Sequence, residues 1–307
     1  MDPAGFRLRH LKAEHSLDSA EQEEKLAARR GAIWMLVAAF SFACMAASAK
    51  LMPEVPNTEK VFVRSLISVV LTLLMLHGAG SRAIPQRPWM LLWRAFFGFL
   101  GLWAYFEAID RLPLGTAVTI YNMTPLFAAA LGMLFLSERF RTIQILSLLV
   151  GLGGVALIKG FSPDVTWIGV GFALCTAFAS AIAYTLVRVL TRTEHPLTIV
   201  MAFAVVSLPL SLLAGWGSWR MPEGMEWFWL FALGVTTQSG QVCLTKALQS
   251  LRASRATQIG FVGVIIAMLL GIPLGDGIPG MAQLAGAGLI FWSLHLGRQR
   301  VTKEPSR

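Results

Sequence analysis

The chain has 307 residues, of which 55% are hydrophobic and only 14% are charged, and its formal net charge is +9. A soluble domain has roughly a quarter of its residues charged, so this composition excludes an ordinary water-soluble protein and indicates one that folds in a lipid bilayer. The basic residues are spread over the termini and several connectors, which argues against a nucleic-acid-binding protein with one basic face.

Ten continuous apolar runs follow a polar N-terminal segment. A bilayer core of about 30 Å needs roughly 20 apolar residues per helix, whereas a membrane barrel would show alternating segments of about ten residues. We therefore predict an all-α integral membrane protein with ten transmembrane helices. They lie approximately at 31–52, 58–79, 89–109, 115–136, 142–160, 167–188, 196–216, 225–245, 255–274 and 280–297.

The two ends of the chain are predicted to be polar tails, at residues 1–30 and 298–307. The first apolar run is too long for a signal-peptide core and follows about thirty polar residues, so we expect it to be retained as the first helix. If the N-terminus is cytoplasmic, twenty of the 26 basic residues fall on the cytoplasmic side. This bias predicts that both termini are cytoplasmic.

The chain also carries a weak internal repeat. At an offset of 139 residues, Gly101 aligns with Gly240 and Leu112 aligns with Leu251. Each half contains five runs, and an odd number of helices makes the second half enter the membrane in the opposite orientation. The sequence therefore predicts two inverted five-helix repeats, which are common in secondary transporters. The expected repeats span residues 31–160 and 167–297.

The residue types that carry metal or covalent chemistry show no useful spacing. The three cysteines lie in three different runs, and none of the five histidines has a partner at metal-ligand spacing. The sequence contains no phosphate-binding loop, nucleophile elbow or paired carboxylates. We therefore expect no cofactor, no metal and no enzymatic activity. A membrane enzyme would show clustered His, Asp or Glu at one face, and a channel would more often be a symmetric oligomer.

Several motifs resemble the drug/metabolite transporter (DMT) superfamily, specifically its EamA-like family. They are Leu112-Pro113 with Ala117, Pro125 within the fourth run, Glu138-Arg139 after it, and the glycines of 150–154. The resemblance implies a bacterial inner-membrane protein with a central cavity walled mainly by helices one, three, four, six, eight and nine. It also implies transport of small organic solutes by alternating access. Many members are exporters.

The resemblance therefore leads us to expect an exporter of an amino-acid-like or amine-like metabolite. The alternative is an importer of a vitamin, nucleoside or cofactor-like solute. The expected partners are the small-molecule solute and the bilayer, without nucleic acid. Because the sequence has no ATP-binding element, the energy would come from proton coupling or from the solute gradient. A homodimer is left open.

Polar and aromatic residues inside the runs are candidates for substrate binding, because a polar group facing lipid is costly. Pro125 frees a backbone carbonyl near Tyr121, and Gln241 shares one face of the eighth helix with Gln238 and Thr245. Packing between helices is the alternative role, for Asn122 in particular. The predicted substrate-binding residues are Trp103, Tyr121, Asn122, Gln241 and Gln258.

Three charged residues near helix ends are candidates for a gate or for coupling. They are Glu107, Arg64 and Lys50. Glu107 could pair with Arg64 or Lys50 as an outer gate, bind a cation or carry a coupling proton, and the alternative is a structural ion pair. Lys50 and Arg64 could also extend to the lipid headgroups.

Overall fold

The computed structural model describes residues 3–78, 84–135, 142–162, 164–251 and 259–298, with side chains described from Leu26 onward. Within these ranges the chain forms helices and no strands, as the apolar runs predict. The helices are α1 (Pro3–Lys50), α2 (Asn57–Gly78), α3 (Pro88–Arg111), α4 (Leu114–Tyr121), α5 (Thr124–Phe135), α6 (Thr142–Phe161), α7 (Trp167–Leu190), α8 (Pro196–Ala214), α9 (Glu226–Ser250), α10 (Val262–Gly271) and α11 (Met281–Arg298). A π-helical turn, Ile272–Asp276, follows α10.

Five described helical stretches are long and apolar enough to cross a membrane. They are Leu26–Lys50, Asn57–Gly78, Pro88–Arg111, Trp167–Leu190 and Pro196–Ala214, and shorter apolar helices lie at Ile145–Gly160, Val262–Asp276 and Met281–Leu296. Large apolar side chains such as Leu74, Leu213 and Phe231 are exposed on the outside of the bundle. Such a surface is stable against lipid and not against water. The chain is therefore a multi-pass membrane protein.

The N-terminal segment differs from the sequence expectation. Helix α1 begins at Pro3, so the segment predicted as a polar tail is helical and continuous with the first apolar run. Its composition explains this, because Ala, Glu and Lys are strong helix formers.

The fourth apolar run is a broken helix. Helix α4 ends at Tyr121 and α5 begins at Thr124. Pro125 has no N–H to donate to the carbonyl of Tyr121, and the hydroxyl of Thr124 donates to that carbonyl instead, at 2.6 Å. The side chain of Asn122 donates to the carbonyl of Val118 at 2.8 Å. Local side chains thus satisfy the backbone groups that the break exposes.

The helices pack in pairs that join the two halves of the chain. Helix α1 packs along α9, α3 along α7, α6 along α11, α2 along α8, and α4 along α10. Glycines allow the closest approaches: a Cβ added at Gly154 would lie 2.8 Å from the carbonyl oxygen of Gly286. Small residues at such crossings are typical of membrane helices. The main core lies between the two halves and includes Phe106, Ile109 and Ile120.

Candidate functional site

Two arginines lie in the interior of the helix bundle. Arg64 on α2 is 1% exposed and Arg94 on α3 is 3% exposed. The ion pairs found among the described residues include neither of them. In the described part of the chain, Nε and Nη2 of Arg64 have no hydrogen-bond partner, and neither do Nε and Nη1 of Arg94. Because burying an unpaired charge is very costly, this arrangement marks a candidate functional site.

One aromatic ring contacts both guanidinium groups. The Cζ atoms of Arg64 and Arg94 lie 4.5 Å and 4.2 Å from the centroid of the Phe203 ring on α8. Gly98 leaves room for this contact, since a Cβ there would lie 3.0 Å from the Phe203 ring. A cation–π contact attracts each guanidinium group but does not neutralise it. Phe203 therefore positions the two charges without supplying a counter-ion.

Helix α9 brings the second half of the chain into the same site. Arg94 donates from Nη2 to the side-chain oxygen of Gln241 at 3.3 Å. One turn earlier, Gln238 donates to the hydroxyl of Thr72 on α2 at 2.8 Å. The polar face predicted for this helix thus contacts protein, and Gln241 joins a first-half arginine to a second-half helix.

Three tyrosines extend the site along α3, α4 and α7. The hydroxyl groups of Tyr121 and Tyr184 are hydrogen-bonded to each other. The ring centroids of Tyr105 and Tyr121 lie 5.4 Å apart, and Tyr184 lies within electrostatic range of Arg94. The chain contains only three tyrosines, and all of them meet here. Through Tyr184 this tyrosine cluster adjoins Arg94, and its side chains are apolar on the ring and polar at the hydroxyl group.

The structure brings some of the predicted binding residues together and separates others. Gln241 contacts Arg94 directly, and Tyr121 is linked to Arg94 through Tyr184. Asn122 bonds within its own helix. The ring of Trp103 lies 5.8 Å from that of Phe172 and lines a surface depression near one end of the bundle. Gln258 lies outside the described residues.

The predicted gate residues have partners other than those expected. Lys50 is paired with Asp276 and donates to the carbonyl of Leu112 at 2.9 Å. Asp276 also accepts from the backbone N–H of Leu114 at 2.7 Å. These bonds join α1, the start of α4 and the turn after α10. We call Lys50 and Asp276 the end lock.

Glu107 is paired with Arg111, one turn along α3, and accepts from the side-chain amide of Asn57 at 3.0 Å. The expected pairing of Glu107 with Arg64 or Lys50 is therefore not present in the described part of the chain. Arg64 is also buried and does not extend to the headgroups, because its side chain turns toward Phe203.

Two surface depressions lie near the end lock, away from the arginine pair. One, of about 520 Å³, is lined in part by Trp103, Glu107 and Asp110. The other, of about 450 Å³, is lined in part by Arg220 and Glu226. Both include Glu54, so this end of the protein presents several carboxylates to solvent.

Sequence reasoning missed Arg94, Phe203, Tyr184 and Asp276. Arg94 carried a usable signal, because it lies inside the predicted helix at 89–109 and an arginine within a transmembrane helix is uncommon. Phe203 and Tyr184 carried none, since an aromatic residue in an apolar run is ordinary packing until its neighbours are known.

A sequence model of the EamA-like transporter family matches residues 29–160 and again residues 167–296. The chain belongs to the EamA-like transporter family. The two matched segments nearly coincide with the predicted halves, so the EamA unit is duplicated in this EamA-like chain. Members of the family are transporters, which confirms the expectation of a non-enzymatic membrane transporter of small solutes.

Named relatives transport different cargoes. This EamA-like chain is 31% identical over 265 residues to the pseudopaline exporter CntI of Pseudomonas aeruginosa, covering 85% of this chain and 93% of that protein. It is 27% identical over 287 residues to a riboflavin transporter of Vibrio cholerae, covering 91% and 96%. A solved crystal structure matches with a TM-score of 0.62 at 19% identity, over 89% of this chain and 96% of the other. That structure supports the fold alone.

Proposed function

We propose that this chain is a bacterial inner-membrane secondary transporter that exports a small organic metabolite by alternating access between two inverted five-helix repeats. The observation that carries the proposal is a set of helix contacts that is preserved when the two halves are exchanged. Such a molecule has two related ways of opening its centre, one toward each side of the membrane.

The exchange can be followed helix by helix. Replacing each first-half span by its second-half counterpart turns the α1–α9 contact into the α7–α3 contact, and both are extensive. The same exchange turns α2–α9 into α8–α3. It turns α2–α8, α4–α10 and α6–α11 into themselves. With five spans in each half, these relations support a pseudo-two-fold axis in the membrane plane.

The glycines noted in the sequence repeat support the same symmetry. A Cβ added at Gly101 on α3 would lie 3.1 Å from the hydroxyl of Ser180 on α7. A Cβ added at the aligned Gly240 on α9 would lie 2.7 Å from the ring of Phe42 on α1. Each glycine thus allows a close approach between the halves at corresponding contacts.

Contacts between the halves occur at several levels along the bundle, and two of them bear on the proposal. The end lock joins α1 to the turn after α10, and the bond between Arg94 and Gln241 joins α3 to α9. We propose that the end lock closes one side and must break when the halves rock apart. The arginine pair, Tyr121 and Gln241 then lie at the central site between the two openings.

Direction and orientation rest on the comparison and on charge. The relative named as a pseudopaline exporter supports export, whereas the one named as a riboflavin transporter keeps import of a vitamin-like solute as the alternative. The positive-inside bias of the sequence supports cytoplasmic termini. With that orientation the end lock lies on the periplasmic side.

Metabolite profiling tests the proposal. Cells and medium are compared for a deletion strain, the wild type and a strain that overproduces the protein. We expect one solute to accumulate inside the deletion strain and in the medium of the overproducing strain. The reverse distribution would make the protein an importer. If the metabolite levels are the same in all three strains, counterflow is measured in reconstituted vesicles. The absence of counterflow there as well would contradict the transport function.

A further inference from the structure

We propose that Arg64 and Arg94 bind the carboxylate group of the transported solute, so that the cargo of this protein is a small organic acid. The proposal rests on the transport function proposed above. Its starting point is the set of four guanidinium nitrogens without a partner. Buried polar groups in folded proteins are nearly always hydrogen-bonded, so unpartnered donors on two charged side chains indicate a ligand that completes them.

The described carboxylates do not balance these charges. Arg64 and Arg94 lie within electrostatic range of each other and therefore repel. The buried or half-buried side-chain carboxylates of the described residues bond to other groups. The partners are Arg111 and Asn57 for Glu107, Asn57 and Lys60 for Asp110, Arg220 for Glu226, and Lys50 for Asp276. Glu59 accepts from the N–H group of Arg220, and Oε1 of Glu194 accepts from the N–H groups of Gln86 and Arg87, while its Oε2 has no partner among the described residues. The pair thus carries two positive charges in a region where a bilayer disfavours them.

The free atoms are arranged to hold an oxyanion. In Arg64, Nε and Nη2 form one complete edge of the planar guanidinium group, and this edge matches the two oxygens of a carboxylate. In Arg94, Nη2 is already bonded to Gln241, which leaves Nε and Nη1 as further donors. Phe203 lies against both groups, with its ring centroid 4.5 Å from Cζ of Arg64 and 4.2 Å from Cζ of Arg94. Arg64 is therefore the bidentate partner, and Arg94 supplies additional donors.

The surroundings define the rest of the ligand. Tyr184 lies within electrostatic range of Arg94 and is hydrogen-bonded to Tyr121, whose ring centroid lies 5.4 Å from that of Tyr105. Aromatic rings and hydroxyl groups therefore occur together beside Arg94. Such a surface suits the carbon skeleton of a small organic acid. A simple cationic amine would be repelled by two arginines in a low-dielectric site. Of the cargo classes that the sequence left open, the site favours amino acids and other carboxylates over amines.

Thermal unfolding of the purified full-length protein tests this without requiring transport. The protein in detergent is titrated with sodium succinate, sodium benzoate, L-glutamate and sodium phosphate, and with choline chloride and sodium chloride at matched ionic strength. We expect saturable stabilisation by at least one carboxylate and none by choline or chloride. Stabilisation by phosphate but by no carboxylate would indicate a phosphate ligand and overturn the proposal. Stabilisation by added phosphatidylglycerol but by no carboxylate would indicate a lipid headgroup and would overturn it as well.

Variants connect the binding to the arginines. Arg64→Gln and Arg94→Gln should each weaken carboxylate binding by tenfold to a hundredfold, on the order expected for loss of charge-assisted hydrogen bonds. Arg94→Lys, which keeps the charge but loses the fork, should fall between these variants and the wild type. Arg192→Gln removes one exposed positive charge outside the site and should bind as the wild type does. Equal affinity in all four variants would overturn the proposal.

The unliganded variants give a second readout. An arginine that serves only the fold would destabilise the protein when replaced, whereas an unpaired buried charge destabilises the fold while it is present. We therefore expect Arg64→Gln to keep or raise the unfolding temperature of the unliganded protein. A fall of several degrees in both glutamine variants would assign the pair a structural role and overturn the proposal.

The two proposals fail in different ways. Arginine-dependent carboxylate binding without any transported solute would retain the binding site and remove the transport function. If vesicles with Arg64→Gln or Arg94→Gln exchange a cationic solute at the wild-type rate, the transport function is supported and the carboxylate-binding proposal is wrong.

Discussion

Two charged regions of this protein follow opposite rules. At one end of the bundle, cations and carboxylates occur together: Lys50 pairs with Asp276 and Arg111 pairs with Glu107. In the interior, Arg64 and Arg94 share an aromatic ring and have no carboxylate among their described neighbours. Paired charges hold elements together, whereas unpaired buried charges are a cost that a ligand can relieve. We therefore expect the charged pairs of the end region to hold the helices together and the interior arginines to bind the solute.

The largest effect is expected from a variant that introduces a carboxylate beside the unpaired arginine. Arg64→Glu places a carboxylate within electrostatic range of Arg94. We expect transport to fall to about 1% of wild type or less, since two good hydrogen bonds to a charged group account for at least a hundredfold. The unfolding temperature should rise by about 2–4 °C for each kcal/mol gained. Counterflow in vesicles and thermal unfolding measure the two effects.

Arg94→Glu is the mirror control for that variant and should lose transport in the same way. If either variant lost both transport and thermal stability, the arginines would have a structural role. The interior charges would then not differ in role from the paired charges at the end of the bundle.

A steric test concerns the crossing of α4 and α10 at Gly115, which follows Leu114, a partner of Asp276 in the end lock. A Cβ at Gly115 would lie 2.3 Å from Cγ of Met268, so Gly115→Leu should overpack this contact at a cost of about 1–3 kcal/mol. We expect counterflow to fall at least tenfold, because the two halves could no longer move past each other here. Gly153→Leu is the matched control, since a Cβ at Gly153 meets nothing within 4 Å. Equal loss in both variants would contradict a moving contact at Gly115.

The end lock is tested by a charge swap. Lys50→Met leaves the carboxylate of Asp276 without its cation, and Asp276→Lys places two cations together. We expect each single variant to lower the unfolding temperature and to reduce transport severalfold. The double variant Lys50→Asp with Asp276→Lys should recover part of both. A double-variant cycle with no coupling energy would show that the pair contributes nothing as a lock.

The smallest expected effect is at Glu107. Its ion pair with Arg111 is partly exposed, with 39% of the arginine side chain accessible, and exposed pairs contribute about 0–1 kcal/mol. Glu107→Gln should therefore change transport by less than about twofold and leave its pH dependence unchanged. A shift in the pH dependence of transport would instead support a role of Glu107 in proton coupling and would argue against a purely structural ion pair.

The sequence was sufficient to predict an all-helical membrane protein because the bilayer imposes its own length scale. The apolar runs predicted the helices, and Pro125 indicated the freed carbonyl near Tyr121. The sequence did not predict that the fourth run would divide into α4 and α5 there. The repeat also placed Gly101 and Gly240 in corresponding positions, and both allow close contacts between helices of different halves.

The site was only partly predictable, for a physical reason. Tyr121 and Gln241 were found because polar groups inside apolar runs must face protein or water. The bond between Arg94 and Gln241 joins residues 147 positions apart, and the end lock joins residues 226 positions apart. No local pattern contains such pairs. Whether Trp103 faces the interior also depends on how α3 is rotated in the bundle, which its packing against α7 decides.

The gathering of the three tyrosines makes this transporter convenient to label. Growth on 3-fluorotyrosine would place fluorine at Tyr105, Tyr121 and Tyr184 and nowhere else in the protein, because the chain has three tyrosines. Every fluorine resonance would then report from the wall of the proposed binding site, without a cysteine tag or a dye. The number of resolved signals would show how many conformations the tyrosine cluster adopts. A change in these signals on adding a carboxylate would show which conformation the ligand favours.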